Sequence, residues 1–432
     1  MKNTTRREFV KASALAGGGL LTSPLSIEQI AYGHTDDNLK LAVIGCGGRG
    51  TGAVIQALTA DDNITLVAMA DAFADQIDNS ISYIQEHFDG NKSISVDPKN
   101  RFSGFDAYKK AIDLADVVIL TTPPGFRPQH FKYAIDNDKH VFMEKPVATD
   151  AYGVRQVLKT AKEAKKKNLN VVVGLQRHYE NSYLELLKRI RQDDIGRIVS
   201  GQVYWNSGGV WVRPRTPQQS ELEYQMRNWY YFNWLCGDHI LEQHIHNIDV
   251  ANWFKDAYPV SAQGMGGRQV RTGIDHGEIF DHHFVEFTYA DGTIISSQCR
   301  HQPNTMNRVQ EVFQGTKGTI ITGDNATMQA FDGSILYEHD PMDDPNPYQV
   351  EHDKLFAAIR NGDVIADAEN GAKTTMTAIM GRMATYTGQV IRWEDALNDD
   401  QRLVPDDLTW ESTAPVLPNA QGRYKIPMPG VV

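Results

Sequence analysis

The stretch Leu39-Lys40-Leu41-Ala42-Val43-Ile44-Gly45-Cys46-Gly47-Gly48-Arg49-Gly50 constrains this chain more than any other. Leu41 to Ile44 is a short apolar run of the kind that forms a buried parallel strand. Gly45 to Gly50 fits G-x-G-x-x-G, and Ala53, Val54, Ala57 and Leu58 then fall on one face of a helix. In such a strand–turn–helix Gly45 permits the tight turn, Gly47 lets backbone approach a pyrophosphate, and Gly50 lets the helix pack closely on the strand. The N–H groups of the helix start, around Gly48 and Arg49, then suit phosphate.

A second apolar run, Ile64 to Ala70, ends in Asp71, twenty-one residues past Gly50. That is where a Rossmann unit places the carboxylate that bonds the adenosine ribose. A carboxylate bonds a 2′-hydroxyl and repels a 2′-phosphate, and Ala72-Phe73-Ala74-Asp75 offers no arginine to offset it. NAD is therefore expected, with NADP disfavoured.

Strand and helix patterns alternate from Leu39 to about Lys145, as in a doubly wound parallel sheet. Helices are expected over 105–114, 130–137 and 150–167, and strands over 117–120, 141–143 and 171–174. Gly45, Asp71, Thr121 and Lys145 all fall at strand carboxyl ends, where ligands of such sheets bind. After Gly196 alternating strands appear, such as 197–205, 284–289 and 293–300, with one helix predicted over 240–254 and more over 349–359 and 372–388. The fold class is α/β: an N-terminal Rossmann domain over 38–175 and an α+β domain with an open-faced, mostly antiparallel sheet over 176–400. The last helices of the second domain are expected to return to the first. An extended tail over 401–432 is placed to wrap a neighbouring domain or subunit.

A net charge of −11 argues against a nucleic-acid surface. The cysteines Cys46, Cys236 and Cys299 do not suit a disulfide framework. No apolar run predicts a membrane span in the mature chain. Thr5-Arg6-Arg7-Glu8-Phe9-Val10-Lys11 precedes a glycine-rich, mildly apolar run, so 1–34 reads as a twin-arginine export signal and linker. The mature protein is then expected in the periplasm.

Two constellations carry chemistry. Lys145, in Glu144-Lys145-Pro146 at a strand end, can polarise a substrate oxygen on the nicotinamide side, where an oxidised nicotinamide would lower its pKa. Glu242, His246 and Asp249 share a helix face at i, i+4 and i+7, which suggests a general base with orienting carboxylates. His244 lies on another face and H-E-x-x-H is absent, so no metal is expected. Gln176, Arg177, His178 and Tyr179 are candidates to bond a polar substrate, with Trp205 and the 208–211 loop shaping its pocket.

These motifs together resemble the glucose–fructose oxidoreductase/inositol dehydrogenase/MocA family. The matching residues are Gly45 to Gly50, Asp71, Thr121 to Pro124 with Pro123, His130, Glu144-Lys145-Pro146, His246-Asn247-Ile248-Asp249, Gly315 to Gly318 and Gly381 to Ala384. The resemblance implies catalytic roles for Lys145 and His246, a sugar, polyol or glycoside substrate, and homo-oligomers formed through the open-faced sheet. Where the family has an aspartate four residues before the histidine, this chain has Glu242. Three functions stay open: hydride transfer from a sugar or polyol to a tightly bound nicotinamide, glycoside cleavage by transient oxidation, and a non-catalytic NAD-binding sensor.

Overall fold

The computed structural model describes residues 37–90, 94–323 and 325–431. The twin-arginine segment expected over 1–34 lies outside them. The first sheet contains β1 (Leu39–Ile44), β2 (Ile64–Asp71), β3 (Arg101–Ser103), β4 (Val117–Leu120), β5 (His140–Met143) and β6 (Val171–Val173), in spatial order β3-β2-β1-β4-β5-β6. All its pairings are parallel. The connecting helices are α1 (Gly48–Ala60), α2 (Ala74–Phe88), α3 (Ala107–Asp113), α4 (Arg127–Asp136) and α5 (Ala151–Lys166). Period-two alternation sends Leu41 and Val43 into the core on one face and Ala42 and Ile44 into the core on the other. Both faces are covered, which is why the strands read as unbroken apolar runs.

The second domain begins with α6 (Asn181–Arg191) and β7 (Ile198–Ser207). It continues through α7 (Glu221–Arg227), α8 (Asn233–Cys236), α9 (His239–Glu242) and α10 (Ile245–Lys255). The strands β8 (Ser261–Gly267), β9 (His282–Thr288), β10 (Ile294–His301), β11 (Arg308–Gly315), β12 (Gly318–Ile321), β13 (Thr327–Ala330) and β14 (Ile335–Glu338) follow, and a short β15 (Ile391–Arg392) closes one edge. Their order is β14-β13-β12-β11-β7-β10-β9-β8-β15. Among the described residues of this sheet only β7 and β10 pair in parallel. Two late helices follow, α11 (Pro347–Asn361) and α12 (Ala368–Thr387). Leu355 and Phe356 of α11 join the core over Leu41 and Val54, while Met376 and Ile379 of α12 join the core shared by both sheets. Each such buried side chain contributes roughly 1.5–3 kcal/mol. The domains are therefore fused through a continuous apolar interior.

The helix predicted over 240–254 is broken in two. The amide of His246 would bond the carbonyl of Glu242 in a continuous helix. Lys145 Nζ donates to that carbonyl instead, and His246 N turns to Gln243 O at 3.4 Å. The tail folds onto its own chain: Leu403 N donates to Asp150 Oδ2 at 2.7 Å, and Trp410 packs on Phe73 and Phe105 with ring centroids 5.2 and 4.7 Å away. The three cysteines are free and buried. No helix among the described residues is long and apolar enough to cross a membrane.

Candidate active site

The glycine turn is built for a close approach. Gly45 has φ +100°, and a Cβ there would stand 2.5 Å from Thr122 N. A Cβ on Gly50 would stand 1.9 Å from Gly45 O, so this glycine sets the distance between α1 and β1. Thr121 Oγ1 caps the same carbonyl at 2.7 Å. Gly47 and Gly48 differ: a Cβ on either would meet nothing within 4 Å. The turn leaves free space on the side where the first N–H groups of α1 emerge, which fits a pyrophosphate.

That space opens into a cleft of about 910 Å³ lined by Gly45, Asp71, Thr121, Pro123 and His130 from the first domain. Asp71 accepts from Cys46 N at 2.7 Å and Phe73 N at 2.9 Å, so it ties the glycine turn to the end of β2. Burial raises its pKa, and the two backbone donors oppose that rise. His130 bonds Thr122 Oγ1 at 3.2 Å and stacks on Tyr108. Its pKa falls to about 3 through burial and the nearby Arg127 charge.

The cleft's other wall comes from the second domain, with Trp211, Arg213, Arg227 and Trp229. Residues 72–75 offer no arginine, as the sequence shows, but the second domain brings one to the same end of the cleft. Arg227 Nη1 and Nη2 donate to the two oxygens of Asp75 at 3.1 Å each, with the guanidinium 3.9 Å from the centre of the Phe73 ring. Arg227 is already matched by Asp75, which leaves the Asp71 carboxylate suited to accept from a ribose hydroxyl. These residues fit NAD, with its phosphates at the glycine turn and its adenosine ribose at Asp71.

At the opposite end Lys145 leaves the carboxyl end of β5 and forms an ion pair with Glu242 Oε2 at 3.1 Å. Both side chains are mostly buried. Burial raises the Glu242 pKa and the Lys145 charge lowers it. Glu144 is held from two sides, its carboxylate by Arg49 and its carbonyl by Arg127 Nε at 3.0 Å. Arg49 also bonds Glu351 at 3.2 Å and Gln56 at 2.8 Å, so its side chain braces the site.

His246 is buried, its ring 6.0 Å from that of Trp205 and stacked on it. Burial first, then the Lys145 charge, push it well below the usual imidazole range. The ring is neutral, and Nδ1 has no hydrogen-bond partner. Three sequence readings need correction here. The break between α9 and α10 turns Glu242 to Lys145, so it orients the lysine. Asp249 bonds His178 at 2.6 Å and Thr374 at 2.8 Å, in a separate network beside Trp253. Arg177 and Tyr179 are tied into the interior, the first to Glu311 and the second to Asp367 at 3.0 Å. Of that group Gln176 keeps a buried Oε1 with no partner.

Sequence reading missed Arg127, Glu311 and Arg227. Glu311 binds Arg177, Tyr183, Asn247 and Thr322 and so fixes the start of α10. It sits at the inward parity of β11, two residues before Phe313, and an acidic residue at that parity is the signal that could have found it. Arg127 and Arg227 carry no comparable local signal.

Residues 39–174 match an oxidoreductase family with an NAD-binding Rossmann fold, and residues 183–321 match a GFO/IDH/MocA C-terminal domain. A glycosyl hydrolase family 109 protein of Shewanella pealeana is 22% identical over 384 residues, covering 82% of this chain and 79% of that protein. An inositol 2-dehydrogenase of Rhizobium meliloti is 26% identical over 274 residues, covering 61% of this chain and 76% of that protein. An aldose–aldose oxidoreductase from Caulobacter crescentus shares the fold with a TM-score of 0.64 at 17% identity, over 82% of this chain and 99% of that one. A levoglucosan dehydrogenase, solved with NADH and levoglucosan, does so at 0.65 and 16%, over 82% and 99%. With both domains matched in order, the chain belongs to the Gfo/Idh/MocA family of NAD-dependent oxidoreductases.

Proposed function

We propose that this enzyme oxidises a hydroxyl-bearing carbon of a sugar, polyol or glycoside, with Lys145 and His246 as its catalytic residues. The observation that carries the reading is a buried imidazole whose Nδ1 has no partner, held by burial below its usual pKa range and in its neutral form, beside a lysine anchored by Glu242. NAD, when bound, supplies the hydride acceptor. Lys145 donates to the reacting oxygen and stabilises its negative charge. His246 accepts the hydroxyl proton, for which its neutral state is required. Trp205, stacked on His246, offers an aromatic face to the carbon skeleton. Relatives named for inositol and solved neighbours named for aldose and levoglucosan support this substrate class.

The same reading extends to cofactor retention. Arg227 on Asp75, and Trp410 on Phe73 and Phe105, strap the second domain and the tail across the adenosine end of the cleft. A retained cofactor suits a chain exported already folded, as the Arg6-Arg7 segment suggests, into a periplasm that offers no free nicotinamide pool. The open-faced sheet is the surface through which copies would associate.

Glycoside cleavage is the second reading, supported by the family 109 relatives. Oxidation of a ring carbon acidifies the neighbouring C–H, a base removes that proton, and the glycosidic C–O bond breaks. Water then adds, and the carbonyl is reduced again. Net redox is zero in that cycle, and the residues required are the same. Denaturing protein purified without added cofactor and measuring NAD released per chain tests the retained-cofactor account. About one NAD per chain supports it, at an affinity tighter than micromolar, or about 8 kcal/mol. An empty chain that needs free NAD in every turnover contradicts it.

A further inference from the structure

Behind the active site the chain buries a second set of ligating side chains that the reaction does not use. Asp238 and His239 begin α9, and His283 lies on β9. Asp238 and His239 are fully buried and His283 nearly so. Their ligating atoms lie within 4.8 Å of one another. His283 Nε2 is 3.3 Å from Asp238 Oδ2, and His239 Nε2 is 3.9 Å from Asp238 Oδ1.

The donor set is left incomplete in a telling way. Neither ring nitrogen of His239 has a hydrogen-bond partner, and His283 Nε2 meets only the Asp238 carboxylate, as an ion-pair contact. Leaving one such buried polar atom bare costs roughly 1–3 kcal/mol. The opposite nitrogen of His283 is bonded to Thr385 Oγ1 at 2.9 Å, which orients Nε2 toward Asp238. A hydrogen bond to the far ring nitrogen orients a metal-ligating histidine in this way. Asp238 is oriented in turn by Tyr386 OH at 2.5 Å and Phe280 N at 3.0 Å. It sits at φ +75°, a conformation kept only where the surroundings enforce it.

We propose that Asp238, His239 and His283 bind one divalent transition-metal cation of the zinc type. Two imidazoles and a carboxylate suit that class. Ligand atoms of a tetrahedral zinc site stand roughly 3.4 Å apart, a spacing the Asp238–His283 pair already shows and which His239 reaches by a small ring movement. Three protein ligands would leave the fourth tetrahedral position to a water, and the burial of all three gives the ion a structural role. Its effect reaches the reaction through α9: Glu242 N donates to Asp238 O at 3.1 Å, and Glu242 anchors Lys145. Sequence spacing hides the site, since Asp238 and His283 come from separate elements.

The test uses full-length protein made without a polyhistidine tag, passed over a chelating resin, reloaded with Zn²⁺ or Co²⁺ and gel-filtered. Elemental analysis is expected to find about one metal per chain, and the Co²⁺ form to show visible d–d bands of a tetrahedral site. His239→Gln should hold at least about tenfold less metal, while His178→Gln, outside the cluster, should hold as much as the parent. Should the His239 variant not fold, the parent alone decides: Zn²⁺ should raise its thermal midpoint after chelation, because the ion binds the native state. Metal below about a tenth of an equivalent in the reloaded parent, with no thermal shift, would mean that ordered water fills the site. Equal metal in folded His239→Gln would overturn the assignment as well.

Discussion

Lys145 and Glu242 make two contacts: the ammonium reaches the carboxylate at 3.1 Å and also takes the Glu242 carbonyl. One lysine therefore breaks the helix and is itself oriented by the break. Glu242→Gln removes the charge that anchors Lys145 but keeps the shape. Its kcat should fall by about 10²-fold with NAD affinity unchanged, and Glu242→Asp should lie between it and the parent. Equal kcat in Glu242→Gln would remove this residue from lysine positioning.

Arg227→Ala should loosen the strap across the adenosine end. The bidentate bond to Asp75 and the contact with Phe73 are lost together. NAD dissociation, followed by stopped-flow displacement, should accelerate about tenfold, as loss of roughly 1.4 kcal/mol predicts. An unchanged rate would show that the wall does not retain the cofactor.

The features legible in the sequence are those made by neighbours in the chain. The β1 turn, Asp71 at the end of β2 and Lys145 at the end of β5 follow from local periodicity and strand ends. The rest depends on long-range pairs. Lys145 meets Glu242 across 97 residues, Arg227 meets Asp75 across 152, and His178 meets Asp249 across 71. Helical spacing placed Glu242, His246 and Asp249 on one face, as it would in an unbroken helix. A lysine from another domain competed for one carbonyl and redistributed all three. Arg177 and Tyr179 look like ligand-binding residues because they follow a strand end. Their partners Glu311 and Asp367 are invisible from that position.

Asp71→Ser should weaken NAD binding and raise the NADP-to-NAD preference by at least about tenfold, since the carboxylate that repels a 2′-phosphate is gone. Some loss of stability should accompany it, because Cys46 N and Phe73 N lose their acceptor. Titration with both cofactors checks this. An unchanged preference would place the discrimination at another residue, such as Arg213 in the facing wall.

Stability should fall as the solution is acidified. His130 and His140 have pKa values lowered to about 3 and about 4, chiefly by burial, and His140 Nδ1 accepts the Asn170 N–H at 3.0 Å. Between the unfolded value near 6.5 and these folded values the unfolded chain binds more protons. The stabilisation is therefore complete above about pH 6.5 and lost as pH falls, by up to about 1.4 kcal/mol per unit for each imidazole. Thermal midpoints at about pH 7 and about pH 5 should show the drop, with a shallower slope in His140→Gln. A flat profile in the parent would contradict it.

The central claim is that Lys145 and His246 act on a carbohydrate hydroxyl beside a nicotinamide. The most direct measurement is absorbance in the reduced-nicotinamide band when NAD-loaded parent, Lys145→Met and His246→Asn are each mixed with myo-inositol, glucose and methyl glycosides. The account predicts that at least one of these reduces the cofactor in the parent. In the NAD-saturated variants the rate should fall at least about 10³-fold. Comparable reduction in either variant, or no change with any sugar or polyol in a parent shown to bind NAD, would contradict it.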